Sequence, residues 1–167
     1  MACFFIIIYL KKYNIFTNRK ERWKINNIIV VENLSKSFGR KKAVNEISFK
    51  VKRGEIFGFL GPNGAGKSTT IKMLTGQLIP DNGKVDVAGV DPIRQENKLS
   101  HLVGVVPENQ NLYPALNVKQ NLSIFADLYS ISRKRVQELI KLLGLKNHYK
   151  KKITALSKGL KQRVLVA

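Results

Sequence analysis

Nine residues, Gly61-Pro62-Asn63-Gly64-Ala65-Gly66-Lys67-Ser68-Thr69, limit what this chain can fold into. They match the pattern G-x-x-x-x-G-K-[ST] at every fixed position. The residues before them, Glu55 to Leu60, read as a buried strand, and those from Ser68 to Thr75 as a helix. Strand, glycine loop and helix in that order aim a row of backbone N–H groups at one point in space. The three glycines let the backbone turn tightly and approach a ligand with no Cβ in the way. The helix N-terminus adds roughly half a positive charge. In such a loop Lys67 would reach the β- and γ-phosphates of a nucleotide, and Ser68 would offer its hydroxyl to Mg²⁺. A structural glycine turn is the plainer alternative, and the agreement of pattern with flanks weighs against it.

Composition bounds the setting. A length of 167 residues with 44% apolar content suits one globular domain with a sizeable core. Cys3 is the only cysteine, which rules out an internal disulfide and fits a reducing compartment. The net charge of +19 points toward an anionic partner, nucleic acid or membrane surface. That charge is uneven: residues 1–27 carry +5, 28–130 carry +4 and 131–167 carry +10. The segment holding the glycine loop is therefore nearly balanced.

Residues 1–27 form an atypical N-terminal extension. The apolar run Ala2 to Leu10 is too short to span a bilayer, which takes about twenty residues. Its charge follows the apolar run rather than preceding it, unlike a signal peptide. The extension reads as disordered or as a weak interfacial segment. The domain then begins. Ile28 to Leu34 and Ala43 to Val51 read as strands joined by a polar loop at Gly39 to Lys42, and Lys52-Arg53-Gly54 turns into the strand before the glycine loop. Pro80 to Gly83 is a tight turn, Lys84 to Ala88 a strand, and Asp91-Pro92 the cap of a short helix through Leu99. His101 and His148 are too isolated for a metal site and read as surface or capping residues. Leu102 to Val106 reads as a short buried strand. Two helices follow within 115–144, the first capped by Asn117 or Ser123 and the second by Ser132, with Gly144 as its C-terminal glycine. Lys146 to Lys152 is a basic run, most simply a solvated loop.

Two stretches, Val31 to Gly39 and Gly54 to Thr69, resemble the nucleotide-binding domain of ABC transporters almost residue for residue. Leu156 to Arg163 resembles the signature motif of that family, with Lys158 where the common form has Gly. The resemblance covers roughly residues 28–167 and implies an α/β fold: a P-loop NTPase core of ABC type, a mixed sheet with flanking helices plus a helical subdomain. It places the phosphate loop at 61–69, the Q-loop region at 107–114, the helical subdomain at about 115–155 and the signature motif at 156–163. It implies ATP and Mg²⁺ as cofactors. Gly61, Pro62, Asn63, Gly64, Ala65, Gly66, Lys67, Ser68 and Thr69 would bind ATP·Mg²⁺, and Phe38 would stack on the adenine at roughly 1–3 kcal/mol. Glu108, at the position of the Q-loop Gln, would face Mg²⁺ together with Ser68. Ser157 and Gly159 would reach the γ-phosphate held by the opposite subunit, because a hydroxyl at a helix N-terminus repeats the logic of the phosphate loop.

The partners implied are a transmembrane permease subunit and a second ATP-binding domain in a head-to-tail dimer. The place implied is the cytoplasmic face of the membrane, peripherally. Family members continue with a Walker B Asp, a catalytic Glu and a switch His that do not occur in this sequence, so no catalytic residue is assigned and the domain reads as incomplete at its C-terminal end. The sequence expectation is thus the ATP-binding part of a transporter. A truncated remnant that at most binds nucleotide, and an ABC-type ATPase acting on nucleic acid or ribosomes, are the alternatives. The layout makes nucleic acid the less favoured partner.

Overall fold

The computed structural model describes residues 6–7, 26–106 and 112–167. A two-residue strand, β1 (Ile6–Ile7), precedes a pair of long strands, β2 (Asn27–Phe38) and β3 (Lys41–Lys52). Then come α1 (Lys67–Leu74), β4 (Asn82–Val87), α2 (Glu96–Ser100) and β5 (Gly104–Val105). The remaining helices are α3 (Val118–Leu128), α4 (Arg133–Leu142) and α5 (Lys158–Val166), with 3₁₀ turns at Lys146–His148 and Ile153–Ala155. The chain forms two compact units, Met1–Val105 and Val106–Ala167.

In the first unit β2 is the central strand, antiparallel to β3 on one side and β4 on the other. The reason lies in its sequence. Val31 and Leu34 are fully buried, and a register shift between them keeps both in the core although their spacing departs from strict alternation. Asn33 sits at the shift with φ 49°, and its N–H donates to Ser48 Oγ at 2.8 Å. The helix α1 lays Thr70, Ile71, Met73 and Leu74 inward, and Met73 is fully buried with Leu34, Val31 and Val87. The β2–β3 connection is tighter than the polar loop the sequence implies: Gly39-Arg40 makes a two-residue turn and Lys41 already pairs with Phe38.

Three sequence expectations change here. Glu55 to Leu60 is not a buried strand. It is unpaired, with Ile56 fully exposed and Leu60 82% exposed. An apolar run says which residues favour burial but not which strand satisfies their N–H and C=O groups. Among the described residues none pairs with this run. What holds it is aromatic packing: Phe57 stacks on Phe49 at 5.1 Å, and Phe59 meets both edge-on at 5.3–5.4 Å. Second, the strand expected over Leu102 to Val106 shrinks to β5, whose two residues are exposed and pair with β1. Third, Asp91 caps a turn rather than a continuous helix. Its Oδ1 accepts from the N–H groups of Ile93 and Arg94 at 2.9 and 3.1 Å, and α2 starts only at Glu96. His101 ends α2, as its position in the sequence implied.

The second unit is helical around Val118, Leu122, Ile140, Leu145, Ile153, Leu156 and Val164. Local chemistry sets its helix starts. Asn117, not Ser123, caps α3 in a reciprocal box with Gln120, at 2.8 and 2.9 Å. Ser132 caps α4, and Gly144 follows it at φ 66°. No helix among the described residues is long and apolar enough to cross a membrane.

One ion pair ties the first unit together at its polar edge. Lys36 donates to Asp81 Oδ1 at 2.6 Å, and the Ser37 N–H donates to Oδ2 at 2.7 Å. The Lys36 hydrogen bond, then the Ser37 amide, hold the Asp81 carboxyl below its ordinary range although burial opposes this slightly. A lowered folded-state pKa gives stability that is full above the ordinary carboxylate value and is lost as pH falls toward the lowered one. Asp81→Asn should therefore remove part of the acid-side slope, seen as a flatter dependence of the urea midpoint on pH below the ordinary carboxylate range.

Candidate phosphate-binding site

The glycine loop is seated against β3. Gly66 is the N-cap of α1 at φ 83°, a left-handed conformation that residues with a side chain rarely adopt. A Cβ there would lie 2.3 Å from the Ala43 carbonyl oxygen and 3.1 Å from Val44 Cγ2. Only glycine fits. Gly64 also has positive φ, 85°, and its Cβ position is open. The two glycines thus serve different ends: Gly66 admits β3 from behind, and Gly64 lets the chain reverse at the exposed front.

The start of α1 carries no capping side chain and no acidic residue in its first turn. A helix end of this kind presents N–H groups and positive potential to an anion. Lys67, the first helical residue, folds back over the loop and donates to the carbonyls of Gly61 and Pro62, each at 2.7 Å. The Ala65 N–H closes the turn onto the Pro62 carbonyl at 3.3 Å. Thr70 donates from both its N–H and its Oγ1 to the Gly66 carbonyl, at 2.8 and 3.0 Å, locking the helix entry. Gly61 to Ala65 and Ser68 are exposed, and Gly66, Lys67 and Thr69 half-buried. The loop, the uncapped helix end and the lysine fit a polyphosphate: backbone donors and positive charge meet here, with no carboxylate among residues 61–69.

The other expected site residues fall as follows. Phe38 ends β2, is 54% exposed, and has the Lys36 ammonium 5.9 Å from its ring centre. Val44, which abuts the Cβ position of Gly66, pairs with Lys36, two residues before Phe38. At about 3.3 Å per residue, Phe38 lies roughly 7 Å along the strand from that seat. Ser157 and Gly159 belong to the second unit. Ser157 caps α5, accepting from the Leu160 N–H at 3.4 Å, and Gly159 has nothing within 4 Å of its Cβ position. Glu108, with Gln110 beside it, lies outside the described residues. Sequence reasoning missed Ala43 and Val44, the seat of the loop. Nothing local marks them, because their role comes from a contact across more than twenty positions.

Gly66→Ala should destabilise the fold by at least about 2 kcal/mol, from the strained φ and the clash with Ala43 together. Gly64→Ala, strained but not clashing, should cost less. Urea denaturation of the two variants makes the comparison.

Comparison with known proteins places this geometry. The family described as ABC transporter matches residues 44–167. The linearmycin resistance ATP-binding protein of Bacillus subtilis is 39% identical over 141 residues, covering 82% of this chain and 45% of that protein. The bacitracin transport ATP-binding protein of Bacillus licheniformis is 35% identical over 144 residues, covering 86% of this chain and 47% of that protein. The chain thus spans about half the length of the curated relatives it matches. Among solved structures, the Clostridium perfringens protein described as part of the ABC transporter complex cbiONQ superposes with a TM-score of 0.73 at 32% identity, covering 84% of this chain and 60% of that one. A second, an ATP-binding subunit of an ABC transporter, gives 0.66 at 28%. The fold is accordingly α/β, of the ABC ATPase type, and the chain belongs to the ABC transporter family.

Proposed function

We propose that this chain binds ATP with Mg²⁺ at Gly61 to Thr69 and serves as the ATP-binding part of a membrane transporter. The observation that carries the reading is the loop itself: an uncapped helix end, a glycine at 66 whose Cβ position lies against the Ala43 carbonyl, and a lysine bonded to loop carbonyls. A triphosphate would take the loop amides and draw Lys67 from the Gly61 and Pro62 carbonyls onto its β- and γ-oxygens. Asn63 and Ala65 line the exposed turn, Pro62 shapes it, and Thr69 follows Ser68 in the first helical turn. Mg²⁺, when bound, would neutralise phosphate charge from the Ser68 hydroxyl, with Glu108 as a second oxygen donor. Phe38, 54% exposed at the end of β2, would receive the adenine face.

Ser157 and Gly159 would serve a second copy. Glycine is unfavourable inside a helix, yet among the described residues none lies within 4 Å of the Cβ position at 159. An approach from outside, by a phosphate held on the partner of a head-to-tail dimer, accounts for it. The permease would be a separate subunit, with this chain at the cytoplasmic face of the membrane. The relatives' names, a resistance protein and a bacitracin transport protein, support a transport role. The reading is of binding, and no residue is assigned to activating water.

Calorimetric titration with ATP·Mg²⁺ tests it. Lys67→Ala should weaken binding by roughly 1.5–3 kcal/mol, the worth of a charge-assisted contact, with the thermal midpoint little changed. Equal affinities in the two proteins would overturn the assignment. Gly159→Ala should raise the stability of the isolated chain by roughly 0.5–1 kcal/mol while weakening any ATP-dependent self-association seen by sedimentation.

A further inference from the structure

The second unit concentrates positive charge where helix electrostatics disfavour it. After α4 the chain passes through Lys146, Lys150, Lys151 and Lys152, all exposed. This loop is lashed to the start of α3. The Val118 N–H donates to the Lys151 carbonyl at 3.1 Å, the Lys119 N–H to the Tyr149 carbonyl at 3.0 Å, and the Ile153 N–H to the Leu116 carbonyl at 3.0 Å. The four loop lysines are thus held beside the positive end of the α3 dipole, where Lys119 is already exposed in the first turn. Lys141, exposed in the last turn of α4, leads directly into the loop. From Leu139 to Ala167 the sequence contains no acidic residue. Among the described residues the ion pairs are Lys36–Asp81, Arg94–Asp91 and Arg135–Glu138, and none involves these six lysines.

Like charges gathered at a helix N-terminus cost stability in the isolated chain. Beside them Leu142, the last residue of α4, is 77% exposed. We propose that this lysine-ringed end of α3 and α4, with Leu142 at its margin, is a docking surface for the anionic phospholipid headgroups of a membrane. The chemistry selects this occupant. The six cations are all lysines, compact point charges on long stems that reach a diffuse layer of phosphates, and the arginine near them, Arg163, is engaged by the Leu143 carbonyl at 3.4 Å. Single-stranded nucleic acid binds by stacking on exposed aromatic rings. The aromatic residue of this loop, Tyr149, is half-buried, with its hydroxyl 3.4 Å from Gln137 Nε2, and Tyr113, tied to Asn121 of α3, is turned against Phe125 with ring centres 6.4 Å apart. An exposed leucine adds nothing to a phosphate backbone but gains from the acyl boundary of a bilayer. The proposal goes beyond nucleotide binding and stands on residues of the second unit alone.

The test is cosedimentation of the full chain with vesicles of phosphatidylcholine, with and without phosphatidylglycerol, at several salt concentrations. The chain should bind the mixed vesicles and not the neutral ones. Lys150→Gln with Lys151→Gln should lower partitioning about thirtyfold, near fivefold for each charge removed. Leu142→Ala should lower it severalfold. The double variant should also melt at or above the wild-type temperature, because it relieves repulsion, whereas lysines with a structural role would make it melt lower. Lys41→Gln with Lys50→Gln removes two exposed charges from the first unit and should leave partitioning little changed. Three results would overturn the proposal: no binding to the mixed vesicles, equal losses in the two double variants, or salt-sensitive binding to a DNA or RNA duplex with none to vesicles. ATP titration of the same variants keeps this outcome separate from that of the nucleotide reading.

Discussion

The close approach of Gly66 to β3 is the contact on which the site depends. The Ala43 carbonyl occupies the space where any other residue would place a Cβ, and the backbone at 66 turns with φ 83° to enter α1. From that point the geometry is fixed on both sides. Behind, the β2–β3 hairpin provides a rigid seat. Ahead, Ile71, Met73 and Leu74 anchor α1 in the core, and Thr70 bonds back to the Gly66 carbonyl. The direction of the loop amides is therefore set by packing at residues that themselves bear no ligand-binding group. That is how a loop so exposed keeps a defined shape: its freedom is removed from below.

What the sequence makes legible follows from how local each determinant is. The glycine loop, the α1 helix, the Asn117, Ser132 and Ser157 caps and the glycine after α4 are each written within a few residues, and the structure forms them where the residues indicate. The run from Glu55 to Leu60 carries an equally clear apolar pattern yet forms no ladder among the described residues, because a ladder needs a partner strand and the pattern holds no information about one. The aromatic trio of Phe49, Phe57 and Phe59 is a contact of the same hidden kind, and so is the seat at Ala43 and Val44. Asp91 shows a subtler limit. Its side chain and the proline after it satisfy the local rules for a helix start, but the same carboxylate closes a turn just as well, and the turn wins.

The two units distribute charge and burial differently. The first pairs two of its cations with acids at its edges, Lys36 with Asp81 and Arg94 with Asp91. The second builds its core from short helices joined by backbone bonds between distant segments, and leaves nearly all its cations in solvent. A basic run read from sequence alone is a loop of unknown placement. The bonds from Val118 and Lys119 give that loop a location and a neighbour, and an electrostatic cost with them.

The two hydrogen bonds of Lys67 bear on what any measured affinity means. With its ammonium held by the Gly61 and Pro62 carbonyls, Lys67 already has two acceptors. Ligand entry is then an exchange of one set of acceptors for another, not a gain over bare charge. The lysine's share of the free energy is a difference between two sets of contacts, so it reports how much better phosphate oxygens are than peptide oxygens, and understates the strength of either grip.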